Sequence, residues 1–334
     1  MATNKAHMLL PGLLPLALLL SCVNYPVEID YQDKVELQAH VGKVLSVAFS
    51  PDGRHLASGG TDGVAKIWDV ENESLLYNLP SGSAEIYSVA FSPNGKLLAS
   101  GSFNQIQLWS TATGELVRNI TGHPDAIYSI AFNPDGDQLA SAGPDPNLRL
   151  WDLRNPFSED PAHIVTGHQG AIYMVRYSAD GRYVVSASFD KTVRMSDSRT
   201  GLPAKYFRGH EAAVFAALFD NTGDQIISTG NDSTIRVWDV KTTKELKKVK
   251  IHQMEEHDIP EQVWAMVSIP QIENIVAIGG REGFLRFWNV RTRRRKREIR
   301  LRYGDIWDLA VSSTGDRLAV ACADGVILTY TLNK

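Results

Sequence analysis

A decapeptide that returns on itself constrains this chain more than any other feature. Val44-Leu45-Ser46-Val47-Ala48-Phe49-Ser50-Pro51-Asp52-Gly53 recurs at Ile86 to Gly95 and at Ile127 to Gly136, with degraded copies opening at Ile172, Val214, Val263 and Ile306. Each copy is followed by a second apolar run such as Leu56-Ala57-Ser58. A third run then ends in Trp68-Asp69, Trp109-Ser110, Trp151-Asp152, Ser196-Asp197, Trp238-Asp239, Trp288-Asn289 or Tyr330-Thr331. The runs are short, rich in Val, Ile and aromatics, and patterned as strands. Pro-Asp-Gly, Pro-Asn-Gly and Asn-Thr-Gly between them supply hairpin turns, where glycine tolerates positive φ. Seven copies of a four-stranded unit at a period of about 40–50 residues predict a stacked, all-β array. That period also explains how 334 residues form one large domain where length alone would suggest two.

Period, turns and Trp-Asp endings together resemble the WD40 repeat family over residues 34 to 334. The resemblance implies a seven-bladed β-propeller whose blades are each braced by a buried His, Ser, Asp and Trp. His40, Ser58, Asp62 and Trp68 fit that set, as do His123, Ser141, Asp145 and Trp151, and His210, Ser228, Asp232 and Trp238. Blade four keeps His168, Ser186 and Asp190 without a Trp; blades two, six and seven keep fragments. A hydrolytic triad is needed once, whereas a brace is needed per blade, so these sets are read as structural and no catalytic residue is assigned. The last copy stops after its third strand, and Lys34 to Gln38 is expected to supply the missing outer strand and close the ring.

Residues 1–21 read as a signal peptide, with Lys5 ahead of a short apolar stretch from Met8 to Leu20, too short to span a bilayer. The ending Leu19-Leu20-Ser21-Cys22 resembles the lipobox of bacterial lipoproteins, which implies lipidation of Cys22 and a tether over residues 22–33. Val23 then implies outer-membrane retention. The alternative is an intracellular, cytoplasmic WD40 adaptor whose true start lies further along. Net charge is −4 and falls to −5 without Lys5, so nucleic acid is not an expected partner. The two cysteines, Cys22 and Cys322, make no disulfide framework. No cofactor or metal is expected: phosphate-binding and zincin motifs are absent, and the loop from His252 to Asp258 reads as a solvated or partner-contacting loop.

Two surfaces carry the functional expectation. The residue after the leading Val or Ile of each copy is Leu45, Tyr87, Tyr128, Tyr173, Phe215, Trp264 and Trp307, six of seven aromatic in a chain that is 9% aromatic. The resemblance places these at one mouth of the central channel, the top. Phe103 and Phe189, between second and third strands, are expected on the same face. The entering loops carry Glu85, Asp125, Glu211, Glu255, Glu256, Asp258, Glu261 and Asp305 against one base, Lys43. An aromatic ring edged with carboxylates suits a cationic side chain. On the other side, the turn after Trp288 carries Arg291, Arg293, Arg294, Arg295, Lys296 and Arg297, and with Lys241, Lys244, Lys247, Lys248 and Lys250 of the preceding blade it suits an anionic surface. The expected protein is therefore a non-enzymatic scaffold, a monomeric module that binds a protein or basic peptide on top and a membrane through its anchor.

Overall fold

A computed structural model of the protein describes residues 28–82, 85–155, 160–251, 262–270 and 272–333. Seven four-stranded antiparallel sheets form a closed ring. The innermost strands, in blade order, are Val44–Phe49, Ser88–Phe91, Ser129–Phe132, Ile172–Tyr177, Val214–Phe219, Val263–Ser268 and Ile306–Val311. A single 3-10 turn at Arg281–Gly283 is the only helical element among the described residues. The outer strand of blade seven is Glu28–Gln38, paired with Val326–Asn333. It opens at Glu28, six positions before the expected Lys34, and changes register between Asp30 and Val35. The expected signal peptide, residues 1–21, and Cys22 lie outside the described residues, as does the His252 to Asp258 loop.

Local chemistry explains the hairpins. In blade one the Ser50 hydroxyl donates to Asp52 Oδ1 at 2.6 Å and accepts the His55 N–H at 2.9 Å, while Gly53 turns the chain at φ 71°. Blade six, whose turn has no glycine, puts Asn274 at φ 62° instead, the residue type that best tolerates that region after glycine.

The inner strands are not regular. Pairing shifts between Val44 and Ser46, Ile172 and Met174, Val214 and Ala216, Val263 and Ala265, and Ile306 and Asp308. Each shift leaves one residue bulged: Leu45, Tyr173, Phe215, Trp264 and Trp307. In blade two, Tyr87 donates its N–H to Gly101 O although Ser88 is the residue that pairs with Gly101. A bulge bends its strand and re-aims one side chain. Here it turns the residue after the leading Val or Ile into the channel, while the leading residue itself is fully buried between blades.

The next residue along fastens the blades together. Asp308 Oδ2 of blade seven accepts the Val47 N–H of blade one at 3.0 Å. Ser46 Oγ accepts Val89 N–H, Ser88 Oγ accepts Ile130 N–H, and Ser129 Oγ accepts Val175 N–H, at 3.2, 3.0 and 3.1 Å. These contacts latch blades seven, one, two, three and four in series. The equivalent residues onward are Met174, Ala216 and Ala265, which have no oxygen to offer. There apolar cores join the blades: one runs from Met174 through Phe207 and Trp238 to Met266 and Trp288, and a second, with Ala265, Phe287, Leu309 and Tyr330, joins blade six to blade seven.

Candidate partner-binding mouth

The braces come first, because they fix the loops around the mouth. In blade five Trp238 Nε1–H donates to Ser228 Oγ at 2.8 Å, Ser228 bonds His210 Nε2 at 2.8 Å, and His210 Nδ1 bonds Asp232 at 2.9 Å. Blade one repeats this with Trp68, Ser58, His40 and Asp62 at 3.0, 2.8 and 2.9 Å. Asp62 and Asp232 also accept the backbone N–H of the residue after the histidine, tying the entry loop down. Burial pushes the His40 imidazole below its ordinary value. Burial alone would raise Asp62, but the bonds from His40, Val41 and Val64 hold it low. The pair is therefore a neutral imidazole donating to a carboxylate. Ser58, Ser141 and Ser228 are fully buried, so none meets a substrate.

Blade three departs from the expected brace. Trp151 and His123 both bond Ser141 at 2.7 Å, yet His123 Nδ1 stands 3.9 Å from Asp145. Arg149 has taken the carboxylate at 2.9 Å. The residue after His123 is Pro124, with no N–H to hold Asp145 in place, and Asp145 Oδ1 is buried without a hydrogen bond. Burial first, and the Arg149 charge second, push His123 down to about 4. Blade four keeps His168 bonded to Ser186 and Asp190 at 2.8 and 2.7 Å. In blade two Trp109 still donates to Ser100, while Trp288 of blade six is buried with its N–H unpaired.

On this frame the six aromatics come together. Tyr87 meets Tyr128 edge-on at 5.7 Å, Tyr128 stacks on Tyr173 at 6.0 Å, and Tyr173 meets Phe215 at 4.6 Å. Trp264 stacks on Trp307 at 4.6 Å. All six are half-buried and line a channel cavity of about 780 Å³. Burial, then a hydrogen bond to Glu85, pushes the Tyr87 hydroxyl up to about 12, so it remains a donor. Phe103 and Phe189 sit against the entry loops, 47% and 60% exposed, outside the channel lining. Val41, 86% exposed beside His40, adds an apolar group on the same face that the aromatic pattern did not signal.

The carboxylate edge is narrower than its sequence suggests. Glu211 is held by Lys248 Nζ at 2.8 Å and faces Arg236 at 3.6 Å. Asp305 accepts the Glu282 N–H. Glu255, Glu256, Asp258 and Glu261 lie outside the described residues. Glu85 and Asp125 remain, and both act on Tyr87 and Tyr128. In blade one, Lys43 Nζ sits 4.6 Å over the Trp307 ring. Among the described residues, Glu85 and Asp125 thus flank the tyrosines, and an ammonium covers one tryptophan.

The basic surface spans two blades. Arg291 and Arg293 occupy an exposed turn, and Arg294 to Arg297 run into the outer strand Arg294–Arg300 rather than lying in the turn. Lys247 of blade five donates to Arg291 O at 3.2 Å. Burial, then the charges of Arg291 and Arg293, lower its pKa. Arg295 is paired with Glu298.

Comparison with known proteins adds to this geometry. The family described as WD domain, G-beta repeat matches residues 32–69, 73–110, 114–152, 159–197 and 201–239, more than half of the chain. The chain is similar to small ribosomal subunit protein RACK1z of Oryza sativa subsp. japonica, 48% identical over 50 residues, which are 15% of each protein. It is similar to small ribosomal subunit protein RACK1 of Medicago sativa, 51% identical over 47 residues, 14% of each. It also resembles WD repeat-containing protein 1 of Mus musculus, 42% identical over 48 residues, 14% of this chain and 8% of that protein. Each match spans about one repeat.

Proposed function

The chain belongs to the WD domain, G-beta repeat family, and from that premise we propose that it is a non-enzymatic scaffold whose aromatic mouth holds a basic peptide or the basic segment of a protein. The observation that carries this is the position of the aromatics: all six line the channel, and Tyr173, Phe215, Trp264 and Trp307 are turned there by a bulge in their inner strands. The Lys43 ammonium over Trp307 supports the chemistry, since an internal cation already uses that face. Glu85 and Asp125 add the complementary charge. Replacing Trp264 and Trp307 together with Ala tests the reading by titration with a labelled Lys/Arg peptide. Capture should fall at least tenfold with little change in melting point; collapse of folding in that variant would return the aromatics to a packing role.

The anchoring of this scaffold rests on sequence. We infer that Cys22 is lipidated and holds the protein in a bacterial envelope as an outer-membrane lipoprotein, with the Arg291 to Arg297 band facing anionic lipid. Replacing Cys22 with Ser should release the protein from the membrane fraction. A second reading, an intracellular adaptor without an anchor, is favoured by the ribosomal names of the similar plant proteins. The mass of the mature N-terminal peptide separates the two, because a lipid on Cys22 is incompatible with the second.

A further inference from the structure

Below the aromatic ring the channel is not apolar. Its wall carries two charged side chains, Arg176 from blade four and Asp308 from blade seven, in a lining otherwise made largely of Ala, Ser and aliphatic residues. They differ in how they are satisfied. Asp308 accepts from Ser46 Oγ, from Val47 N and from its neighbour Leu309 N, at 2.9, 3.0 and 2.8 Å. Its oxygens are committed to the wall. Arg176 gives one nitrogen to Val175 O at 2.9 Å and, at the outer limit of 3.5 Å, to Ser129 Oγ. A guanidinium has five N–H donors, and the rest of them have no protein partner among the described residues. Burial lowers its pKa while the Asp308 charge opposes that shift, so the two groups act on each other across the channel without a hydrogen bond between them; a guanidinium keeps its charge in such places.

The level of this group matters. Ser129 directly follows Tyr128, and Arg176 lies on the same strand as Tyr173, so the guanidinium sits one layer beneath the stacked Tyr128 and Tyr173 rings. A ligand entering from the top meets, in order, the carboxylates of Glu85 and Asp125, the aromatic ring, and a channel-facing guanidinium with donors to spare, beside an Asp308 whose oxygens are already bonded to the wall. That succession is the charge pattern of a chain end in reverse: cationic side chains outside, a carboxylate innermost. A planar carboxylate is the anion that a guanidinium fork matches in two parallel bonds.

We propose that the channel captures the C-terminus of its peptide partner, with the terminal carboxylate on Arg176, the last side chains against Tyr128 and Tyr173, and the basic residues at the acidic edge. This rests on the mouth being the peptide site and specifies which part of the peptide enters. An internal loop of a folded protein would have no anion to place on Arg176 unless it offered an Asp or Glu side chain.

The test uses the full chain and fluorescein-labelled Gly-Ser-Gly-Arg-Lys-Ala in three forms: free C-terminal acid, C-terminal amide, and amide with Glu replacing Ala. The free acid should bind about tenfold tighter than the plain amide by anisotropy. Arg176→Gln should weaken the acid by that factor and leave the amide unchanged, which a loss of folding would not do. Equal binding of acid and amide by the wild-type chain overturns the inference and leaves the peptide-binding mouth intact. Equal binding of the Glu-containing amide and the free acid overturns it in favour of a side-chain carboxylate. Failure of all three to bind overturns both the inference and the peptide reading on which it rests. The comparison of acid with amide needs no variant, so a folding defect in Arg176→Gln does not remove the test.

Discussion

Two sectors of one ring hold together by different means. From blade seven through blades one, two and three to blade four, each inner strand reaches its successor with a side-chain oxygen that accepts a backbone N–H. From blade four through five and six to seven that oxygen is missing, and apolar cores with Phe207, Trp238 and Trp288, then Phe287 and Tyr330, join the blades. The strands, bulges and turns are alike in both sectors. The difference teaches that the propeller geometry is set by the repeat, whereas the fastening between repeats is open to either chemistry. Latches are directional and fix register; apolar contact is stronger in total but tolerates sliding.

Four changes press on that contrast. The largest effect is expected from Trp238→Ala in the apolar sector, which empties a core site and takes one of the two hydrogen bonds of Ser228, at a cost of about 3–5 kcal/mol; a loss below ~1 kcal/mol in denaturant melts would mean the sector does not depend on its core. Next is acid. His123 is held at about 4 against an ordinary 6.5, so between those values the unfolded chain binds a proton that the folded chain refuses. Its contribution is intact above pH 6.5 and falls away as pH drops toward 4, by roughly 3 kcal/mol. Replacing His123 with Gln should flatten that limb of the stability–pH curve, and an unchanged slope would place the acid sensitivity elsewhere. Ser88→Ala removes one latch and should cost about 1–3 kcal/mol if Ile130 N–H is left unpaired; a neutral result would show that channel water replaces it. The smallest is the converse, Ala216→Ser, which offers the apolar sector an oxygen toward Met266 N–H and should stabilise by no more than about 1 kcal/mol. A destabilisation there would show that the strand spacing between blades five and six excludes the latch.

The ring, its closure and two of the three complete braces were legible because they depend on spacing: eighteen positions from His to Ser and twenty-two from His to Asp recur with the repeat. Blade three failed although its spacing is the same, and the signal was present in Pro124, which removes the N–H that holds Asp145 elsewhere. The six aromatics were found as a periodic column, but the bulge that turns them into the channel is a property of strand pairing and has no residue type of its own. Glu211 read as a free carboxylate because its partner Lys248 is 37 positions away on another strand. Arg294 to Arg297 read as a turn because a run of like charges conceals the alternation of an outer strand. The latches were hidden by their variety, three serines and an aspartate at a position occupied by Met or Ala in other blades.

The closing sheet has a consequence in time. Glu28–Gln38 is synthesised before any of the seven inner strands, and its partner Val326–Asn333 after all of them. Throughout elongation the early strand has nothing to pair with, and the Val47 N–H waits for Asp308. Domains built mainly from neighbouring contacts can assemble as they emerge, but a joint between strands about 300 positions apart is of high contact order and forms late. Six blades can therefore be in place while the seventh gapes, and during that interval the molecule is an open arc with an unprotected strand edge, in need of whatever keeps such edges from finding each other.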